Sequence, residues 1–257
     1  MSPTTDLPKY RPDLIGEDAG DECYLDLTPE EPRQETRMVF CWCPPAPEQK
    51  LPGFWLGKYL VTQAQWVALG LRNRSGFNES PQQPVDHVSW NDAGEFAQKS
   101  RDVMPAGYEL WLPAEAQWER ACRAGRDMDF GIGSGHSLNS QLANFNGNHP
   151  EGEGRGSFKW LYREKTLPVG CLPPNDWGLH DMHGQLWEWC AECYDKGVVR
   201  VKRVLRGGSW YNYGRRAAAS IRVRAEPQLR DVNIGLRVSP SSIQFRAGGQ
   251  KSATRDE

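Results

Sequence analysis

Eleven tryptophans share this chain with 26 glycines and with no long helical period, and that combination limits the fold more than any other feature. Indoles bury large flat areas, while glycines release the backbone into turns that other residues resist. Together they call for short elements and long loops, with aromatic side chains filling the space between. The 257 residues suffice for one large domain or two small ones. A chain of that size buries enough surface to fold without a disulfide or metal staple.

Charge excludes some partners. Charged residues make up 25% and the formal net charge is −2, so no basic excess exists to drive phosphate binding and nucleic acid is not an expected partner. Met1 to Asp6 carries neither a basic nor an apolar signal region, and no run approaches the ~20 apolar residues of a spanning helix. The expectation is a cytoplasmic protein without membrane insertion. Seven cysteines at irregular spacings, an odd number, argue against a complete disulfide framework.

Patterning places the elements. Residues 1–36 are rich in Pro, Asp and Glu without a period and read as an irregular N-terminal arm. A strand follows over Arg37 to Cys43, ended by Pro44-Pro45, and a second over Phe54 to Val61. Thr62 caps a helix carrying Trp66 and Leu69; Ser89 or Asn91 caps another with Ala93, Phe96 and Ala97 on one face. A third opens at Pro113 and stops at Gly125. Beyond lie a long Gly- and Asn-rich stretch and short strands at Trp187–Cys190, Arg203–Trp210 and Ile234–Val238. Helices first and strands later indicate an α+β class, in one domain over residues 37–246 with a polar tail at 247–257.

Nine short motifs in order carry a resemblance. Phe54-Trp55-Leu56-Gly57-Lys58-Tyr59 leads to Val61-Thr62-Gln63-Ala64-Gln65-Trp66, then Val88-Ser89-Trp90-Asn91-Asp92-Ala93 and Leu112-Pro113-Ala114-Glu115-Ala116-Gln117-Trp118-Glu119. The second half adds Asn175-Asp176-Trp177-Gly178-Leu179, Asp181-Met182-His183-Gly184, Trp187-Glu188-Trp189, Arg206-Gly207-Gly208-Ser209-Trp210 and Ile234-Gly235-Leu236-Arg237. The chain resembles the formylglycine-generating-enzyme (sulfatase-modifying-factor) family across about Met38 to Val238. That resemblance implies a C-type-lectin-like fold of low regular secondary structure.

The resemblance also says what chemistry to look for. Members that make formylglycine hold copper with two cysteines in the segment after Gly-Gly-Ser, as soft thiolates do. Here Trp210 to Arg222 contains no cysteine, so no catalytic residue is assigned and no cofactor is required. Structural calcium is the one implied metal, with Glu188 as an oxygen ligand near Gly184-Gln185-Leu186-Trp187; a buried, hydrogen-bonded carboxylate is the alternative. His180 and His183 with Cys190 and Cys193 have a superficial zinc spacing, but His183 and Cys190 sit in stretches that normally pack. Asp86-His87 has no nucleophile-elbow motif beside it.

The segment from Trp210 to Arg237 departs from the family's Asn-rich pattern at Tyr211, Tyr213, Arg216, Val223, Ala225, Leu229 and Val232. It resembles the variable proteins of diversity-generating retroelements, in which adenine-directed mutagenesis of Asn codons scatters residue types over a lectin-like face. Tyr, Val, Ala, Leu and Arg are all reachable from AAC by changing its adenines. The expected ligand-binding residues are Tyr211, Tyr213, Arg216, Ile221, Val223, Ala225, Leu229 and Val232, and the expected partner is a protein. Ordinary drift with inward packing, in a generic non-catalytic scaffold, and an oxidoreductase with an unrecognised site are the competing readings.

Overall fold

Three helices start on side chains that the sequence supplies for the purpose. In a computed structural model, residues 7–148, 161–195 and 201–243 are described. Helix α1 (Gln63–Ala68) begins at Thr62, whose Oγ1 accepts from Gln65 N at 3.2 Å while Gln65 Oε1 accepts from Thr62 N at 3.0 Å. Helix α2 (Trp90–Ser100) repeats the reciprocal cap with Ser89 and Asp92. Each such cap satisfies two backbone donors that the first turn leaves open. Helix α3 (Glu115–Arg123) starts two residues past the expected Pro113, with Ala114 N donating to Gln117 Oε1 and Glu115 N to Glu192 Oε2. It ends on Ala124 and Gly125, both at positive φ.

The strands form three small sheets. Strands β1 (Glu22–Asp26), β2 (Arg37–Cys43) and β3 (Phe54–Gly57) pair antiparallel in that order. Strand β4 (Tyr108–Trp111) pairs with β9 (Ser239–Ser242), near the C-terminal limit of the described residues. The four-stranded sheet runs β7-β6-β5-β8, from Arg222–Ala225, Arg203–Arg206, Trp187–Cys193 and Ile234–Gly235, with β5 and β8 parallel. The few helices and short strands make an α+β protein of the C-type-lectin-like kind.

The N-terminal arm is the main departure from expectation. Within it Glu22–Asp26 is a strand, with Cys23, Leu25 and Leu27 in the core and the Tyr10 ring 6.2 Å from that of Phe40. Its acidic residues disguise it. Glu22 takes a 2.5 Å contact from Lys58 and Asp26 a 2.9 Å contact from Arg37, so charges that suggest a solvated arm are paired across the sheet. Strands β4, β7 and β9 were likewise not anticipated. The polar tail at 247–257 lies outside the described residues.

Tryptophans fill the interior as their abundance implies. Ten of the eleven are buried, and Trp160 lies outside the described residues. Their N–H groups find acceptors: Trp55 gives to Leu14 O, Trp90 to Cys190 O, Trp189 to Val88 O and Trp118 to Glu188 Oε2. A buried indole left unpaired would forfeit much of its packing gain. These bonds therefore fix loops to strands where regular ladders are scarce. All seven cysteines are free thiols, and Cys41 and Cys43 sit in the core side by side on β2.

Candidate binding face

The segment after β6 leaves the sheet through two glycines. Gly207 and Gly208 have φ of 94° and 75°, and a Cβ on Gly208 would stand 3.0 Å from Ala217 Cα and Arg216 O. Only glycine lets the exit backbone lie this close to the next turn. Ser209 is buried and donates to Asn212 Oδ1, and Trp210 N donates to Gln185 O. A 3₁₀ turn at Gly214–Ala217 follows, with Ala217, Ala218 and Ala219 buried behind it.

On this support the predicted residues separate into two groups. Tyr211 and Tyr213 are 57% and 53% exposed, and Arg216 is exposed beside them in sequence. Leu229 is exposed past the turn that follows β7. Val232 is half-buried, packed with Leu60, Leu186 and Trp210. Ile221 and Val223 are half-buried against the core, and Ala225 is buried in it. The cause is strand geometry: along β7, Arg222 and Arg224 face solvent, so the alternate residues Val223 and Ala225 face inward.

Aromatic rings extend the exposed group with residues that the sequence did not single out. Trp210 holds Phe77 edge-on at 5.3 Å, Tyr162 stacked at 6.3 Å and Tyr211 at 5.7 Å. Tyr162 and Phe77 come from loops without periodicity, so nothing local marked them. The outward arginines of β7 are already paired. Arg222 forks onto both oxygens of Glu115 and lies 4.1 Å over the Tyr194 ring, while Arg224 reaches Asp195 at 2.7 Å. Arg230 forks onto Asp92, tying this segment to the cap of α2. Arg215 and Arg216, by contrast, make no ion pair among the described residues.

The residues offered to metals have other occupations. Glu188 is fully buried; its Oε2 accepts from Trp118 Nε1 at 2.8 Å and Arg237 Nε at 3.0 Å, and its Oε1 from Arg237 Nη2 at 3.0 Å. Three of the roughly four acceptor positions of a carboxylate are filled, and a guanidinium already balances its charge. That arrangement does not fit a calcium ion held by Glu188. His183 is equally committed. Its Nδ1 gives to Ala217 O at 2.7 Å and its Nε2 accepts from Gly131 N at 2.9 Å, so the neutral ring bridges two loops. Burial depresses its pKa to about 4. Cys190 and Cys122 are buried thiols whose pKa values burial pushes up. Among the described residues no group of three or more His, Cys, Asp or Glu side chains converges as metal ligands would.

Residues 19–241 match the model of the sulfatase-modifying factor enzyme 1-like domain. The chain belongs to that family. Within it, the "Inactive C-alpha-formylglycine-generating enzyme 2" of Mus musculus is 32% identical over 175 residues, 65% of this chain and 52% of that protein. The chain thus spans about half the length of that relative. Two solved structures share the family fold. Treponema denticola variable protein 1 aligns with a TM-score of 0.63 and 21% identity, over 79% of this chain and 95% of that one. PvdO from Pseudomonas aeruginosa aligns at 0.62 and 22%, over 88% and 100%. No helix of this family member is long and apolar enough, among the described residues, to cross a membrane.

Proposed function

We propose that the chain is a non-catalytic binding module that takes a protein ligand on the surface around Tyr211, Tyr213 and Arg216. The observation that carries this reading is the exposure of two tyrosines on a turn backed by Trp210 and buried alanines. A rigid exposed Tyr supplies amphipathic contact area at small entropic cost, which is why binding loops favour it. The absence of cysteine from Trp210 to Arg222 supports it, as does the similarity to a relative named as inactive. The fold shared with a variable protein is compatible with a scaffold that tolerates change on this face. On this reading the module needs no cofactor, and the Arg237 guanidinium already balances the charge of Glu188.

A generic scaffold with ordinary drift is the second reading, favoured by the inward packing of Val223 and Ala225. The genome separates the two. A near-identical template repeat beside a reverse transcriptase, with adenines in the codons for Tyr211, Tyr213 and Arg216, is the expected finding for a diversified binder. Its absence favours the scaffold. Copper titration and oxygen uptake with a cysteine-containing peptide test the enzyme reading. The expected result is neither tight Cu(I) binding nor consumption above the buffer rate, and turnover overturns the proposal.

A further inference from the structure

His87 stands at the edge of the aromatic face in a conformation that needs explaining. Its φ is 56°, in the left-handed region that side chains rarely occupy. The backbone is held there by His87 N donating to Asp231 O at 3.0 Å. Asp86 beside it is fully buried, and it accepts from Gly76 N at 2.8 Å and from Phe77 N at 3.5 Å. Its Oδ1 lies 2.5 Å from His87 Nδ1. A carboxylate that takes only donors from its surroundings puts a proton on Nδ1, so in the neutral form of the ring it is Nδ1 that is protonated. The other nitrogen, Nε2, then carries a lone pair. The side chain is 37% exposed, and Nε2 has no hydrogen-bond partner among the described residues.

This imidazole adjoins the face. A methyl group built on Gly76 would meet Val232 Cγ2 at 2.9 Å and His87 Cε1 at 3.2 Å, so valine and imidazole crowd the same spot. Val232 packs on Trp210, and Phe77 joins the ring cluster directly from the loop that binds Asp86. A fixed acceptor therefore sits beside Val232 and the half-buried Phe77, which both pack on Trp210.

We propose that His87 is the polar anchor of the binding face: Asp86 fixes its tautomer so that Nε2 accepts a hydrogen bond from a hydroxyl or backbone amide of the protein ligand. The proposal rests on the binding reading above and adds the chemical requirement that the ligand place a donor next to its apolar contact. Asp86 is a positioning residue, acting through the ring.

Two measurements test it. Long-range ¹⁵N NMR of the imidazoles at mildly alkaline pH reads the tautomer without any ligand. The expected spectrum shows His87 protonated at Nδ1, with Asp86→Asn shifting the population toward Nε2–H; a wild-type ring protonated at Nε2 overturns the proposal. The second uses peptides enriched on the wild-type protein from a random display library. Glycine adopts positive φ freely, so His87→Gly removes the ring while sparing the fold, which its melting temperature checks. The enriched peptides should lose roughly three- to tenfold in affinity for His87→Gly, and more for Tyr211→Ser/Tyr213→Ser. Loss with the tyrosine variant alone overturns the anchor and leaves the face standing. No enrichment, or peptides indifferent to both variants, overturns the face and the anchor together.

Discussion

The Tyr211–Ala217 turn and strand β7 lie within fifteen residues of one another in sequence, carry the same kind of departure from the family pattern, and treat it in opposite ways. The turn projects Tyr211, Tyr213 and Arg216 outward because buried alanines and Trp210 take the inward positions. The strand alternates, so every second residue is committed to the core whatever its type. Surface variability is therefore available in the turn at every outward position but in the strand only at Arg222 and Arg224. Those two are already engaged by Glu115 and Asp195. A segment that looks uniformly variable in sequence offers a much smaller face in three dimensions.

Glu188 sits on β5 opposite Arg206 of β6, which in turn pairs with β7, and breaking its buried pair with Arg237 is the largest effect expected. Arg237→Met leaves Glu188 in the core with only the Trp118 indole N–H and no counter-charge, at a cost of about 3–5 kcal/mol, read by denaturant unfolding. Adding Glu188→Met should recover much of that loss, since an apolar pair of similar volume avoids the desolvation penalty. Chelation with EDTA should leave the wild-type melting temperature unchanged. A fall on chelation would mean that a metal ion, and not Arg237, holds this part of the core.

The contrast between turn and strand is tested directly by one charge placed in each. Val223→Asp sets a carboxylate opposite Leu205 and against the core, with no cation facing it across the strand pair, and should cost about 2 kcal/mol. Arg216→Asp on the exposed turn should stay within about 0.5 kcal/mol of wild type. Equal costs would erase the distinction drawn between the two regions.

The turn is anchored from below by His183, and its pH dependence sharpens the same comparison. Burial lowers the His183 pKa from 6.5 to about 4. The folded value is the depressed one, so this stabilisation is present above pH 6.5 and lost as pH falls toward 4. Asp181, lining the same small cavity, has its pKa raised by burial from 3.8 to about 6. Its contribution runs the other way, present at low pH and lost as pH rises through 6. Each is worth about 3 kcal/mol by linkage, so in the wild type they largely cancel between pH 4 and 6. Asp181→Asn removes the opposing member. Its stability should fall by about 3 kcal/mol more than that of the wild type between pH 7 and 4, measured by urea unfolding at a series of pH values. A profile unchanged from wild type would mean that Asp181 does not make the opposing contribution assigned to it.

What was legible in the sequence was whatever is written locally. Thr62 caps α1 as expected, and of the two candidates Ser89 and Asn91 it is Ser89 that caps α2; both are legible because a cap is made by residues three apart. Tryptophan and glycine counts announced a loop-rich interior. What failed was non-local. Strand β1 hides in an acidic stretch because its carboxylates pair with Arg37 of β2 and with Lys58 just past β3. The pairing of Glu188 is equally hidden, because its partner, Arg237, lies 49 residues away. Tyr162, Phe77 and His87 reach the face from loops, where no periodicity points. The inward turn of Val223 and Ala225 was available in principle, since Arg-Val-Arg-Ala is a two-residue alternation. It was obscured by reading the segment against a family pattern instead of against its own period.

The smallest stability effect bears on function most. Tyr211→Ser with Tyr213→Ser removes two rings that are more than half exposed, and exposed apolar area contributes little to folding. The double variant should therefore unfold within about 0.5 kcal/mol of wild type. The part of Tyr211 that does pack lies against Trp210, so a modest rise in Trp210 exposure, seen as a red shift in fluorescence, is expected. Such a surface is costly to keep unless something covers it, because exposed aromatic area promotes association. Solubility of the double variant should accordingly match or exceed that of the wild type while peptide binding falls. If stability instead drops by several kcal/mol, the tyrosines are structural, the turn behaves like the strand, and the face shrinks to nothing.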